Sequence, residues 1–265
     1  MADADVRIQV GVFGGSGFYR FLDDAVEVEV DTPFGAPSGP VTVGEIGGRA
    51  VGFLARHGVE HTIPPHRINY RANAWAMKHL GATDVVLPCA AGSLQRHVEP
   101  GSFVIADQLV DRTSGRESTM FDGPEVHHVG FADPYDEEMR AVAVQAATDL
   151  GIPVHPTGTV VVVNGPRFST RAESAHYAAQ GWEVINMTAH PEAILCRELE
   201  MAALNISLIT DYDVGPTDDP DIPAVTHAEV LEVFAANNEA LRRLLSAIIP
   251  ALPLSPDRPA LHALG

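Results

Sequence analysis

Short apolar runs rich in β-branched residues recur along the chain and are separated by segments with helical spacing. Runs of this length, bounded by Gly, Pro, Asp or Asn, are typical of buried strands. The predicted strands are residues 7–13, 50–55, 84–87, 102–106, 159–163, 184–187 and 206–210. Because helix-like segments lie between several of them, the pattern predicts a mixed or mostly parallel sheet with helices on both faces.

Helix start and stop signals support this alternation. Residues 69–80 and 137–150 have helical spacing, and each segment is followed by a glycine that suits a helix C-cap. Thr170 and Thr226 each begin a Thr-x-x-Glu sequence, which is the form of a capping box. The segment after Thr226 repeats apolar residues at helical spacing, so it predicts a long amphipathic helix.

Length and composition fit one α/β domain. A chain of 265 residues, of which 46% are hydrophobic, can bury a single sizeable core. We therefore expect one domain over residues 1–265, with an ordered core at about 7–250. Residues 214–225 are rich in Asp and Pro and predict a long surface loop.

Charge and residue usage exclude several classes of function. The net charge of −18 disfavours binding to nucleic acid and to anionic membranes. Lys78 is the only lysine, so the chain lacks a P-loop lysine, and phosphate chemistry must depend on arginine, backbone amides and hydroxyls. An acidic amino terminus and only two cysteines lead us to expect a cytoplasmic protein.

Two carboxylates follow the last predicted strand. If Asp211 and Asp213 both extend that strand, their side chains lie on the same side of it. Two converging acids can accept hydrogen bonds from an amino group and deliver a proton to a ring nitrogen, which suits an adenine that must leave. The alternative is an ordinary turn at a strand end, because Asp favours turns.

Earlier strand ends also carry groups that could bind an anion. Ser16 lies in a Gly-Gly-Ser-Gly turn and offers a hydroxyl and an amide. Arg56 and His57 could hold a phosphate by charge-assisted, bidentate hydrogen bonds, or could form a surface salt bridge and a turn. His57, His61 and His66 also permit a metal-binding interpretation, although their spacing matches no standard zinc motif.

Three further segments contain candidate ligand groups. They are Cys89 and Ala90 after strand 84–87, Phe168 and Ser169 before the helix that begins near Thr170, and Met187 and Thr188 at the end of strand 184–187. Small residues allow a ligand close to backbone amides, an aromatic ring can stack on a base, and a thioether can pack on a sugar. Each also has a purely structural explanation in core packing. Five strand ends with such groups predict one shared cleft.

Seven motifs together resemble the 5′-methylthioadenosine phosphorylase branch of the trimeric purine nucleoside phosphorylase family. They are residues 14–17 (GGSG), 32–35 (TPFG), 55–58 (ARHG), 69–73 (NYRAN), 165–173 (GPRFSTRAE), 186–188 (NMT) and 210–213 (TDYD). They follow the family order over nearly the whole chain. Each motif alone is weak, but the set is specific.

The resemblance implies a reaction and an assembly. The fold would be a single α/β domain around a partly barrel-like mixed sheet, and the enzyme would be a homotrimer with sites near subunit interfaces. Inorganic phosphate would be the co-substrate, with no metal and no organic cofactor. Phosphorolysis of methylthioadenosine would give adenine and 5-methylthioribose 1-phosphate. The alternative within the family is a purine nucleoside phosphorylase that acts on adenosine, another 5′-substituted adenosine or a 6-oxopurine nucleoside.

The resemblance also assigns roles by motif match. Phosphate would be bound by Ser16, Arg56, His57, the backbone at Cys89 and Ala90, and Thr188. Met187 would line the ribose, and Ser169, Asp211 and Asp213 would surround the purine. We expect Asp211 to protonate N7 and Asp213 to bind the exocyclic amine, since adjacent carboxylates raise one pKa.

Three residues depart from the family pattern. Cys89 replaces a threonine hydroxyl, and His190 replaces an apolar or small residue. His227 stands where a methylthioadenosine enzyme would have valine, so it indicates either a polar 5′ group or a solvent-facing side chain. Two other classes stay open, namely a non-catalytic nucleoside-binding module and a metal-dependent hydrolase that uses His57 and its neighbouring histidines.

Overall fold

Two ten-residue strands lie at the centre of the sheet in a computed structural model that describes residues 6–15, 18, 21–22, 25–214, 225–253 and 255–264. Within these ranges the strands are β1 Val10–Gly14, β2 Val26–Val28, β3 Val41–Ile46, β4 Arg49–Ala55, β5 Asp84–Ser93, β6 Phe103–Ile105, β7 Gln108–Arg112, β8 Val154–His155, β9 Thr159–Val163, β10 Val184–Asn186 and β11 Ala202–Asp211. The α-helices are α1 Tyr70–His79, α2 Glu137–Asp149, α3 Arg171–Ala179, α4 Ala189–Glu198 and α5 His227–Ala251.

The central strand β5 joins two parts of the sheet. It pairs in parallel with β11 along most of its length. Its first residues also pair in parallel with β1, whereas its last two residues pair antiparallel with β10. The main path runs β2-β3-β4-β1-β5-β10-β9-β7, and β11, β6 and β8 branch from β5. The second half of β5 therefore lies where the two parts of the sheet diverge.

The branch curls back toward the main path. β6 pairs with β8, and β7, which follows β6, pairs with β9, which follows β8. Asp107 and Gly158 connect the two ladders, because the Asp107 amide donates to the Gly158 carbonyl and the Gly158 amide donates to Asp107 Oδ1. The predicted fold class, a mixed α/β sheet flanked by helices, is confirmed.

Helices cover both faces of the sheet. α1 packs with α4 over one apolar cluster, and α2 packs with α5 over the other. Both predicted capping boxes are present, at the starts of α3 and α5. α1 and α2 begin at the side-chain caps Asn69 and Asp136 and end just before a glycine with positive φ. The described helices include no apolar segment that would cross a lipid bilayer.

Three expectations about strand bounds are wrong. The last predicted strand begins at Ala202 rather than at residue 206. Residues 88–93 do not follow the strand that begins at Asp84, because β5 continues through them to Ser93. β11 supplies the pairing there, so a run that contains Pro and small residues stays extended. At the other end, the first strand begins at Val10 rather than at residue 7.

Candidate active site

A cavity of about 370 Å³ lies beside the second half of β5. This volume is within the range of small-molecule sites. Its wall includes the predicted residues Arg56, His57, Cys89, Ala90, Phe168, Ser169, Met187, Thr188, Asp211, Asp213 and His227. The other predicted residue, Ser16, lies outside the described residues, although its neighbour Gly15 lines the cavity. Side chains from distant parts of the sequence therefore meet at one cavity.

Arg56, directly after β4, forms a bidentate salt bridge with Glu192 of α4. Its Nε lies 2.6 Å from Glu192 Oε1, and its Nη2 lies 3.0 Å from Oε2. Nη1 donates to the Pro88 carbonyl at 2.9 Å. Both charged side chains are almost fully buried. The bidentate hydrogen bonds of Arg56, which the sequence analysis considered for a phosphate, are therefore made to the Glu192 carboxylate. One N–H on Nη1 and one N–H on Nη2 remain for a ligand.

Sequence reasoning missed Glu192. The only local signal is a carboxylate within the otherwise apolar first turns of α4, which is an unusual position unless the acid is paired. Its partner is 136 residues away in the sequence. The backbone approaches the same guanidinium closely at Gly15, where a Cβ atom would lie 2.8 Å from Arg56 Nη1. Only glycine fits there without displacing the arginine.

The ring of His57 is held by one defined hydrogen bond. Its Nδ1 lies 2.9 Å from the Ile63 carbonyl, and a carbonyl can only accept, so Nδ1 carries the hydrogen. Burial, with a smaller contribution from the adjacent Arg56 charge, lowers the pKa of His57 to about 3. The imidazole is therefore neutral at physiological pH, and its Nε2 is a hydrogen-bond acceptor.

The Cys89 thiol belongs to a buried polar network. Asn186 Nδ2 donates to its Sγ at 3.3 Å. Ser207 donates its hydroxyl hydrogen to Asn205 Oδ1 at 2.8 Å, so the contact of 3.4 Å between Cys89 Sγ and Ser207 Oγ has the thiol as donor. The thiol is thus engaged on both sides. The Cys89 and Ala90 backbone remains the group that this strand can offer to an anion.

Asn186 shapes the turn that presents Thr188. Its Oδ1 accepts from the amides of Thr188 and Ala189 at 3.4 and 3.3 Å. Thr188 is the N-cap residue of α4, but its side chain makes no capping hydrogen bond to any residue in the described ranges. Its hydroxyl, in the wall of the cavity, is therefore available to a ligand.

Asp211 ends β11 and carries a strongly perturbed carboxyl group. Burial is the main cause that raises its pKa to about 6, and the Asp213 carboxylate adds a smaller rise. The Thr210 hydroxyl at 2.7 Å and the Asp213 amide at 2.7 Å oppose this rise by donating to its two oxygens. Gly92 leaves the necessary space, since a Cβ atom there would lie 2.9 Å from Asp211 Oδ1.

Asp213 does not extend the strand, so of the two alternatives left open by the sequence, the turn is the one found at this residue. It lies in a turn with φ of 52°, in the left-handed region that Asp tolerates. Burial raises the pKa of Asp213, and nearby serine hydroxyls oppose the rise. Its buried Oδ2 and the buried Oγ of Ser169 satisfy hydrogen-bond geometry with no described residue. Both atoms lie on side chains that line the cavity.

Phe168 and Met187 complete the wall on this side. Phe168 is only half-buried and does not belong to the three apolar clusters of the described core. Met187 packs against Gly165, where a Cβ atom would lie 2.6 Å from the methionine sulfur. These positions are compatible with stacking on a base and packing on a sugar, but the roles themselves remain predictions.

Three imidazoles follow one another along the cavity wall. The rings of His57 and His61 stack at 4.5 Å between centroids, and the ring of His227 lies 5.8 Å from His61. His227 is the first residue of α5 and is exposed while it lines the cavity. Val230, one helical turn later, lines the same region. This end of the cavity therefore combines imidazole rings with an apolar side chain.

His190 and His66 do not line the cavity. His190 Nε2 lies 3.3 Å from Asp111 Oδ2, so this departure from the family pattern connects α4 to β7. His66 lies in a short 3-10 helix and is exposed. Among the residues that the structure describes, no group of three or more His, Cys, Asp or Glu side chains is arranged to hold a metal ion.

Comparison with known proteins identifies the family. The family model of the phosphorylase superfamily matches residues 9–250. The chain is 51% identical to a purine nucleoside phosphorylase of Streptomyces coelicolor, over 98% of this chain and 95% of that protein. It is 47% identical to an S-methyl-5′-thioadenosine phosphorylase of Mycolicibacterium smegmatis, over 97% of this chain and 95% of the relative.

A solved structure agrees with these relatives. The fold superposes with a TM-score of 0.87 on a methylthioadenosine phosphorylase of Schistosoma mansoni in complex with adenine, at 36% identity over 92% of each chain. The resemblance that the seven motifs indicated is therefore confirmed. The chain belongs to the phosphorylase superfamily, among the purine nucleoside and methylthioadenosine phosphorylases, and is a pentosyltransferase that acts on a nucleoside and phosphate.

Proposed function

We propose that this enzyme catalyses the reversible phosphorolysis of S-methyl-5′-thioadenosine to adenine and 5-methylthioribose 1-phosphate. The observation that carries the proposal is the pair Asp211 and Asp213, which share one cavity with Arg56 and Thr188. One end of this cavity offers acids to a purine, and the other offers a guanidinium and a hydroxyl to an anion.

Selectivity for adenine follows from the states of the two carboxyl groups. With its pKa raised to about 6 by burial, Asp211 can carry a proton for N7 near neutral pH. Asp213 Oδ2 meets hydrogen-bond geometry with no described residue, although the Ser174 and Ser169 hydroxyls lie near enough to the carboxyl to lower its pKa, and it can accept a hydrogen bond from the exocyclic amine. A 6-oxopurine presents an acceptor at that position, which an ionised carboxylate repels. The pair therefore favours adenine.

The positions of these groups also suit the transition state of phosphorolysis. As the glycosidic bond breaks, positive charge develops on the sugar and negative charge on the purine. An anion held by Arg56 and Thr188 would stabilise the sugar cation and supply the nucleophile, while Asp211 would neutralise the purine. A protein that only bound nucleosides would need no acid at N7, so this arrangement favours catalysis over simple binding.

The 5′ end supports a second candidate substrate. The imidazoles of His61 and His227 could hydrogen-bond to a 5′-hydroxyl, which favours adenosine, whereas Val230 suits a methylthio group. Relatives named S-methyl-5′-thioadenosine phosphorylase and a relative named purine nucleoside phosphorylase are both among the similar proteins. We rank methylthioadenosine first because most of the similar relatives carry that name.

A substrate panel tests both candidates. We expect kcat/KM to be highest for methylthioadenosine, lower for adenosine and lowest for inosine, in the presence of phosphate. His227→Val should increase the preference for methylthioadenosine over adenosine by about tenfold, because one pocket contact is worth about 1–3 kcal/mol. A wild-type preference for inosine would reject the adenine assignment. An unchanged ratio in His227→Val would show that His227 does not contact the 5′ group.

The remaining parts of the proposal concern the oligomeric state, the cellular location and the cofactors. We propose a single-domain chain that forms a homotrimer, works in the cytoplasm and uses no metal or organic cofactor. Light scattering of the purified protein tests the trimer, and elemental analysis of protein purified without a His-tag tests the absence of metal. Stoichiometric zinc would instead favour a metal-dependent hydrolase.

A further inference from the structure

His57 is a buried imidazole in the wall of the cavity, and one of its two ring nitrogens has a defined hydrogen-bond partner. The side chain lines the cavity at 4% exposure, and its Nδ1 hydrogen is used by the Ile63 carbonyl at 2.9 Å. The bond is local, between residues six positions apart, and it fixes the ring within the turn that follows β4. Nε2 is therefore the ring atom that remains for a ligand, and it carries no hydrogen in the neutral tautomer.

The surroundings of the ring oppose a second proton. The charged groups that face it in the described part of the chain are Arg56 and His61, and a positive charge on either one disfavours an imidazolium. The buried Glu192 carboxylate is paired with Arg56. Burial is the largest cause, and burial and these charges together lower the pKa of His57 to about 3. A cation at His57 is thus strongly disfavoured.

We propose that His57 acts toward the anionic substrate as a hydrogen-bond acceptor, so that an anion bound against Nε2 must carry its own proton. The inference uses the proposed function only in taking phosphate as that substrate. Hydrogenphosphate and hydrogenarsenate carry a proton at neutral and alkaline pH. Sulfate has the same shape and charge but no proton, so it meets the Nε2 lone pair with a bare oxygen.

The bonds and protons of the site balance in the proposed phosphorolysis step. A phosphate oxygen forms the new C1′–O bond, the C1′–N9 bond breaks, and its electron pair stays on the purine. The Asp211 proton moves to N7, and the phosphate keeps its own proton, which stays hydrogen-bonded to the neutral His57 Nε2. The ester leaves as a monoanion, Asp211 gains one negative charge and the purine leaves neutral. The total charge of the site is therefore unchanged through the step.

Titration calorimetry tests the inference on wild-type protein. Phosphate and sulfate are titrated separately at pH 6.5, 7.5 and 8.5, in two buffers with different heats of ionisation, which counts the protons taken up. At pH 8.5 we expect sulfate to bind at least about 100-fold more weakly than phosphate, because it must recruit a proton to a group of low pKa. Sulfate binding should take up about one proton and tighten by about tenfold per unit fall in pH.

Two variants provide matched controls. His57→Gln places an amide donor near the position of Nε2, so sulfate affinity should rise to within about threefold of phosphate and lose its pH dependence. His66→Gln makes the same change at an exposed imidazole outside the cavity and should keep the wild-type ratio. Wild-type sulfate affinity within about threefold of phosphate at pH 8.5, without proton uptake, would overturn the inference.

Parallel turnover assays separate this inference from the proposed function. Phosphate-dependent turnover together with equal binding of sulfate and phosphate would reject only the role of His57. Turnover that ignores phosphate, together with strong discrimination against sulfate, would reject phosphorolysis and leave the acceptor role standing.

Discussion

At the scale of single residues, Asp211 is the group on which the proposed chemistry depends. Its carboxyl is buried beside a second acid, and the Thr210 hydroxyl and the Asp213 amide only partly compensate for burial. A pKa of about 6 keeps a useful protonated fraction near neutral pH while leaving the proton easy to transfer. The neighbouring Asp213 lies in the turn after the strand. The proposed proton donor to N7 and the proposed acceptor for the exocyclic amine are therefore two differently placed carboxyl groups.

Asp211→Asn should lower kcat by about 100-fold or more, since a general acid contributes roughly 10²–10⁴. The KM for phosphate should change little, because Asp211 is not among the groups that we assign to the anion. In the wild type, kcat/KM for the nucleoside should fall as pH rises above about 6, where the proton is lost. Steady-state kinetics between pH 5 and 9 measure both effects.

The exposed Asp31 offers a matched control, because Asp31→Asn makes the same chemical change at a residue that does not line the cavity. That variant should keep wild-type kcat and the same pH profile. Wild-type turnover in Asp211→Asn would show that another group protonates the purine.

Asp213→Asn should shift the selectivity for the base. The new amide can donate to a carbonyl oxygen at C6, whereas the carboxylate can only accept from an amine. We expect the ratio of kcat/KM for adenosine to that for inosine to fall by about 100-fold, in line with the cost of an unmatched buried polar pair. A ratio that stays at the wild-type value would remove Asp213 from base recognition.

At the scale of elements, α4 and β5 position the anion side of the cavity. Glu192 on α4 fixes Arg56 after β4, and Asn186 before α4 fixes the turn at Thr188. The small residues of β5 allow β11 and its terminal carboxyl to approach. The geometry of the site thus depends on contacts between elements that are distant in the sequence.

Glu192→Gln should destabilise the protein by roughly 3–5 kcal/mol, because it leaves the buried Arg56 without its counter-charge. It should also raise the KM for phosphate, since the guanidinium loses its fixed orientation. Urea unfolding and phosphate-dependent kinetics measure the two effects. The exposed pair Arg167 and Glu173 is the control, and Arg167→Gln should leave the unfolding midpoint nearly unchanged. A Glu192→Gln protein as stable as the wild type would contradict the assigned role of the salt bridge.

Local signals explain which elements the sequence predicts well. The helices at Tyr70–His79 and Glu137–Asp149 and both capping boxes match expectation because caps and glycine stops depend on a few adjacent residues. β5 and β11 are longer than predicted, and β2, β3, β7 and β8 were missed, because strand formation and length depend on partners elsewhere in the chain. Glu192 and the tautomer of His57 were missed for the same reason.

At the scale of the whole molecule, the net charge of −18 repels an anionic substrate. Such a substrate binds only where nearby cationic or hydrogen-bond-donating groups offset that charge. Arg56 supplies a positive charge within the cavity, but Glu192 neutralises part of it, so backbone amides, hydroxyls and the proton of the anion must contribute. Sequence motifs predicted that these residues share one cavity, while the hydrogen bonds that set their charge states required the three-dimensional arrangement.

The central claim is that phosphate and a nucleoside react together in this cavity. Phosphorus NMR of the enzyme with methylthioadenosine and inorganic phosphate tests it most directly. We expect a new phosphate monoester signal that grows in equal amount with free adenine, and no adenine release when phosphate is omitted. Adenine released equally well without phosphate, with no new phosphorus signal, would show that the enzyme does not catalyse phosphorolysis.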